Sequence, residues 1–170
     1  NKHAPVYASQ IHKGLIGPPI KVLLRQIIHN EELIEAISLE FRDHYDNNAA
    51  SITKLFPGVY NGLKELNKIN KLFVSTNKPQ IPTTRILEKL QIDKFFCKIL
   101  TSDSKGCNSK IGIVNKILAT NNESKSIVIG DSYDDYESAK SNKINFIYCN
   151  YGYGDIKNNH KEIRTVNSSK

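Results

Sequence analysis

Apolar positions along this chain follow two different periods. From residue 5 to about 15, from 19 to 29 and from 31 to 46 they recur at three- and four-residue steps, the spacing that lines one face of a helix. Ile34, Ile37, Phe41 and Tyr45 mark the third segment, where Asn30 can cap and Glu31 and Glu32 suit the positive end of the helix dipole. Gly14 and Gly17-Pro18-Pro19 break the first two segments apart. After Phe56-Pro57-Gly58 the register changes. Short apolar runs at 72–75, 97–100, 126–129 and 145–148 read as buried strands, with helical patterns at 59–69, 79–90, 110–118 and 136–142 between them. Strand and helix in alternation imply parallel βαβ units. The pattern predicts an α/β protein, with a small α-helical cap over residues 1–56 and a doubly wound, Rossmann-like parallel-sheet core over 57–170.

Composition narrows the function classes. The 170 residues, 39% hydrophobic and 24% charged, suit one ordinary domain with a small appended subdomain. No apolar run approaches the roughly 20 residues of a membrane span, and no charged-then-apolar leader opens the sequence, so a cytoplasmic protein without a membrane partner is expected. Cys97, Cys107 and Cys149 are widely spaced and odd in number, which indicates neither a disulfide framework nor a zinc site. The net charge of +7 comes from 20 Lys and four Arg scattered along the chain, whereas a nucleic-acid surface concentrates charge on one face; no nucleic-acid partner is expected. No Met occurs anywhere, and residues upstream of Asn1 are expected.

The candidate chemistry sits at the ends of the predicted strands, where open α/β sheets bind ligands. Ser126 to Ile129 leads into Gly130-Asp131-Ser132-Tyr133-Asp134-Asp135, which places Asp131 at a strand end and Asp135 one turn further on. Two carboxylates so placed suit a Mg²⁺-dependent, phosphate-handling site; alternatively Asp131 or Ser132 caps the following helix and Asp134 and Asp135 fill its first turn. Thr76 and Asn77 follow the first strand, where a hydroxyl and unpaired N–H groups make an anion site, or simply a helix cap. Lys110 opens a helix, an unfavourable place for a cation unless an anion faces it, and Lys105 competes for the same role. No Gly-x-Ser-x-Gly occurs, and the five His have no evident Ser or Cys partner, which argues against a serine or cysteine hydrolase.

Taken in order, these segments resemble the haloacid dehalogenase (HAD)-like hydrolase superfamily, and within it the phosphoglycolate-phosphatase-like branch. The resemblance runs through Ile16-Gly17-Pro18-Pro19, Phe56-Pro57-Gly58-Val59, Val74-Ser75-Thr76-Asn77-Lys78-Pro79, Ser109-Lys110, Gly130-Asp131-Ser132 with Asp135, and Tyr151-Gly152-Tyr153-Gly154. It implies a phosphatase acting on a small phosphorylated metabolite. An Asp on the first strand attacks the phosphate ester to form an aspartyl-phosphate, and a second Asp two residues on protonates the leaving alcohol. Carried onto this sequence, Thr76 and the Asn77 backbone would hold phosphate oxygens and Lys110 would neutralise charge. Asp131 would ligate Mg²⁺, and Asp135 would complete or orient that metal site, through water or Lys110.

One element of the resemblance is absent. The Asp-x-Asp-Gly-Thr/Val motif of the central first strand occurs nowhere in the sequence. The nucleophile is therefore expected upstream of Asn1, the chain by itself is expected to be inactive, and a core without that strand would expose two hydrophobic strand edges. A dehalogenase-type hydrolase, which shares the covalent Asp but needs no Mg²⁺, and a non-catalytic phosphate-binding protein of the same fold are the alternatives.

Overall fold

The computed structural model describes residues 20–121, 125–154, 156 and 163–167. The helix expected over 5–15 and the Gly17-Pro18-Pro19 break lie outside the described residues.

The helical part begins with α1 (Ile20–Leu24), shorter than expected, followed by α2 (Glu31–Ile52), which continues well past Asp46. Asn30 starts α2 as its sequence suggests: its side chain accepts the Leu33 N–H at 2.9 Å. Leu24, Ile28 and Ile34 are buried together, with Ile20, Ile27, Leu33 and Ile37 packed around them. The i, i+3, i+4 apolar stripe is what this cluster consumes. At its far end α2 lies against the core, where Arg85 donates to the Asp46 carbonyl at 2.7 Å.

Gly58, in the left-handed region at φ 83°, turns the chain into α3 (Val59–Leu66). Strand β1 (Leu72–Ser75), α4 (Gln80–Lys89), a single 3₁₀ turn (Asp93–Phe95) and β2 (Phe96–Leu100) follow. Then come α5 (Lys110–Ala119), β3 (Ile127–Gly130), α6 (Tyr133–Ser141), β4 (Asn145–Cys149) and β5 (Arg164–Val166). Among the described residues every strand pairing is parallel, as the alternation predicts. Two differences are local. Helix α6 starts at Tyr133 rather than 136, because Ser132 and Asp135 form a reciprocal capping box that captures the first turn. The short β5 was not expected; its three residues are exposed and carry no apolar run to signal a strand.

Hydrogen bonding divides the strands into two sheets, β1-β2 and β3-β4-β5. The division falls between the strand leading to Thr76 and the strand leading to Asp131, where the sequence reading puts the absent first strand. Ile127 and Ile129 of β3 remain 54% and 57% exposed, whereas strands inside a parallel sheet are covered on both faces. Helix α5 spans the division. Its Ile113 and Ile117 pack with Leu100 and Phe73 of the first sheet and with Cys107 of the loop after β2. Toward the second sheet, Asn142 of the α6 C-terminus donates to the Ile111 carbonyl and accepts from Asn115, both at 3.2 Å. A further core, Leu87, Ile92 and Phe95 with Leu55, Leu63, Leu72 and Val74, seats α3 and α4 on the first sheet. At about 1.5–3 kcal/mol per fully buried large aliphatic or aromatic side chain, these clusters are what orders the chain. No helix among the described residues is long and apolar enough to cross a membrane.

Candidate active site

Lys110 occupies the middle of the strand-end cluster. Ser109 caps α5 by accepting the Gly112 N–H at 3.2 Å, which makes Lys110 the first helical residue. From there its ammonium reaches the Ser75 carbonyl at 2.7 Å and Asp135 Oδ1 at 2.9 Å, with only 13% and 11% of the Lys and Asp side chains exposed. A cation at a helix N-terminus opposes the dipole, and the Asp135 carboxylate offsets it. Lys105, by contrast, is exposed on the preceding loop, and its carbonyl accepts from Lys116. Of the two lysines, the fold brings Lys110 to the strand ends.

The Thr76 turn is built without serving as a helix cap. Thr76 N–H donates to the Leu100 carbonyl at 3.1 Å, extending the ladder one residue past β1, and its hydroxyl accepts the Lys78 N–H at 3.1 Å. That leaves the Thr76 O–H itself available to donate. The start of α4 is held instead by Asp103, whose carboxylate oxygens accept the Gln80 N–H at 2.9 and 3.2 Å while Thr101 donates to it at 2.7 Å. Partial burial opposes the Asp103 charge, but the bonds from Thr101 and Gln80 outweigh it and hold the carboxyl below its ordinary value. The Asn77 side chain turns the other way and donates to Asp134 Oδ2 at 3.1 Å.

Asp131 follows β3 directly, with one carboxylate oxygen fixed: Oδ2 accepts the N–H groups of Tyr153 and Gly154 at 2.8 and 3.0 Å. The glycines around it are required by close approach. A Cβ on Gly152 would overlap the Asp131 carboxylate, and one on Gly154 would lie 2.5 Å from the Asp131 carbonyl oxygen. A Cβ on Gly130 would likewise lie 2.5 Å from Asp135 Oδ2. The Tyr151-Gly152-Tyr153-Gly154 segment thus serves as a cradle for Asp131. It also meets Phe56: the rings of Phe56 and Tyr151 are 5.1 Å apart edge to face, and those of Phe56 and Tyr153 are 6.0 Å apart. A bond with Cys149, burial and the nearby Cys149 and Asp131 charges push the Tyr151 phenol up to about 12.

The two carboxylates expected to share a metal are used differently. Both oxygens of Asp135 are engaged, Oδ1 by Lys110 and Oδ2 by the Ser132 N–H at 3.2 Å and hydroxyl at 2.7 Å. Asp131 Oδ1 receives no hydrogen bond among the described residues, and no group of three or more His, Cys, Asp or Glu gathers there as a metal site. One unengaged carboxylate oxygen, with no thiolate or imidazole beside it, fits a hard cation such as Mg²⁺, which takes few protein ligands. The sequence reading missed the Asn77–Asp134 contact, because a pairing across 57 positions leaves no local pattern.

Comparison with known proteins places the chain in a family and supports its fold. The sequence profile for haloacid dehalogenase-like hydrolases matches residues 1–149. The phosphoglycolate phosphatase of Agrobacterium fabrum is 27% identical over 154 residues, covering 84% of this chain and 65% of that protein. The phosphoglycolate phosphatase of Mesorhizobium japonicum is 26% identical over 119 residues, covering 68% of this chain and 52% of that protein. The chain therefore spans between about half and two-thirds of the length of these relatives. Among solved structures, a predicted phosphatase from Clostridium acetobutylicum superimposes with TM-score 0.75 at 26% identity, covering 89% of this chain and 74% of that one. A predicted phosphoglycolate phosphatase from Haemophilus somnus shares the fold with TM-score 0.78 at 21% identity, covering 92% and 77%. With the family profile matched over nearly the whole chain, on a parallel α/β core with Thr76, Lys110 and Asp131 at its strand ends, this chain belongs to the haloacid dehalogenase-like hydrolase family.

Proposed function

We propose that this chain carries most of the active site of a phosphatase that hydrolyses a small phosphate monoester, with Mg²⁺ as cofactor and an aspartyl-phosphate intermediate. The observation that carries the reading is Lys110, a mostly buried ammonium tied at once to the Ser75 carbonyl at the end of β1 and to Asp135 on α6. A buried cation facing a strand-end crevice is suited to a phosphoryl group, whose transfer depends on positioning and charge neutralisation.

In this reading the Thr76 hydroxyl and the Asn77 N–H bind phosphate oxygens. Lys110 neutralises charge on the phosphoryl group and the nucleophile, and Asp135 holds Lys110 in place. Asp131 Oδ1 would ligate Mg²⁺, which supplies charge neutralisation for the phosphoryl oxygens when bound. The nucleophilic carboxylate belongs to a strand placed between β1 and β3. Its oxygen bonds to phosphorus as the ester P–O bond breaks, the leaving alcohol takes a proton from the second Asp of that strand, and water then releases phosphate and regenerates the carboxylate. Residues 1–56, with α1 and α2, serve as the cap.

The test is an assay against a panel of phosphate monoesters, using this chain alone and the chain extended upstream by its Asp-x-Asp strand, each with Mg²⁺ or EDTA. Turnover by the extended protein with Mg²⁺, and none by the chain alone, is the expected result. Equal inactivity of both would overturn the enzymatic reading, and EDTA-insensitive turnover would overturn the metal.

A further inference from the structure

We infer that Asp134 is a positioning residue for the phosphate side of the site, acting through Asn77. This rests on the phosphatase reading, and it adds a residue to which neither the family resemblance nor the comparisons assign a role. The two sheets share no strand pairing among the described residues, so in this chain contacts between other elements set the distance from the Thr76 turn to Asp131, and in the extended protein they help the strand between β1 and β3 to set it. Lys110 makes one such tie, from α5 to Ser75 on one side and Asp135 on the other. The hydrogen bond from Asn77 Nδ2 to Asp134 Oδ2, at 3.1 Å, is another, and it joins the residue after Thr76 directly to the helix that follows Asp131.

Both ends of this tie are well placed to transmit position. The 76–78 turn is closed on itself by the Thr76–Lys78 bond, so moving Asn77 moves the Thr76 hydroxyl with it. Asp134 lies in the first turn of α6 between Ser132 and Asp135, whose capping box fixes the backbone there. As an acidic residue at a helix N-terminus it would favour the dipole wherever its side chain pointed. Its direction toward Asn77 is therefore an added feature rather than a requirement of the helix. Asn77, Asp134, Ser109 and Lys110 also line one cavity of about 240 Å³, which sets the contact beside the ammonium. Because a displacement of about 1 Å can cost phosphoryl-transfer geometry dearly, a tie at this point acts on binding and alignment without touching the reacting atoms.

The experiment compares Asp134→Ala, Asp134→Asn, Asn77→Ala and the Asn77→Ala/Asp134→Ala double variant in the upstream-extended protein, reading KM, kcat and the inhibition constant of inorganic phosphate. An exposed hydrogen-bonded pair of this kind is worth a fewfold effect. Asp134→Ala should raise KM and the phosphate inhibition constant about two- to fivefold with kcat within about twofold. Asp134→Asn, whose amide oxygen still accepts from Asn77, should restore both, and the double variant should be no worse than either single one. If Asp134→Asn fails as badly as Asp134→Ala, the charge on α6 matters rather than the tie, and the inference is overturned. Should the extended protein hydrolyse no monoester at all, the phosphatase reading fails separately. The positioning claim then stands or falls on whether Asp134→Ala, and not Asp134→Asn, shifts the backbone amide resonances of Thr76, Asn77 and Lys78 in this chain.

Discussion

Replacing Lys110 by Met should destabilise the protein by about 3–4 kcal/mol while leaving its shape nearly filled. The 2.9 Å pair with Asp135 corresponds to about 6 kcal/mol of attraction at an effective dielectric near 20, most of it offset by the desolvation of two mostly buried ends. Truncating one partner removes the attraction and keeps the desolvation of the other, which in buried pairs costs about 3–5 kcal/mol. Asp135 retains its two bonds from Ser132, which moves the figure toward the low end; loss of the bond to the Ser75 carbonyl adds about 1 kcal/mol. The neutral Asp135→Asn change should cost about as much, and Lys110→Met with Asp135→Asn should cost less than the sum by at least about 1.5 kcal/mol, because no unpaired charge remains. Urea denaturation followed by far-ultraviolet circular dichroism measures all four proteins. Additive costs, or a Lys110→Met protein within about 0.5 kcal/mol of the parent, would refute the claim that this pair holds the two sheets in register.

Gly152→Ala should displace the Asp131 carboxylate from the Tyr153 and Gly154 amides, lowering Mg²⁺ affinity in the extended protein by calorimetry and costing about 1–3 kcal/mol of stability. Asp103→Ala should loosen the start of α4 by about 1 kcal/mol near neutral pH. Since the folded Asp103 carboxyl lies below its ordinary value, its contribution is present above the ordinary carboxylate range and disappears as pH falls through the folded value; parent and variant should converge in acid melts. Tyr151 is shifted the other way. Its phenol, raised from 10.0 to about 12, contributes stability that is complete below about pH 10 and lost as pH rises through about 12, so Tyr151→Phe should flatten the alkaline part of the stability curve.

Local pattern carried the reading of the strands and helices a long way. Four of the five strands among the described residues announced themselves as short apolar runs, and Asn30 as a cap and Lys110 as the opening residue of a helix match the observed starts. Boundaries slipped where a side chain overrides periodicity: apolar spacing starts α6 at 136, whereas the Ser132 cap with Asp134 and Asp135 in the first turn, the other reading of those residues, is what starts it at Tyr133. In the site, Lys110, Asp131 and Thr76 were legible because each sits at a strand-to-helix junction. The division of labour between the carboxylates was legible only in part: the resemblance allowed Asp135 to act through Lys110, but not the hold of Tyr153 and Gly154 on Asp131. Sequence spacing makes Asp131 and Asp135 look like a pair, whereas the fold gives Asp135 to Lys110 and Ser132 and gives Asp131 to the backbone of Tyr153 and Gly154. Which oxygen faces which donor depends on contacts between segments far apart in the chain, and no single window of sequence contains them.

The division of the strands into two sheets has a consequence for how the molecule comes apart. Without a continuous ladder, opening the seam between β1 and β3 breaks no strand pairing among the described residues; it strains α5, Lys110 and the Asn77 contact. The two halves should accordingly exchange their amide hydrogens as separate cooperative units, with α5 protected by whichever half is still folded. Any anion bridging Thr76 and Lys110 acts as glue across the seam, and raising its concentration should slow exchange in both halves together.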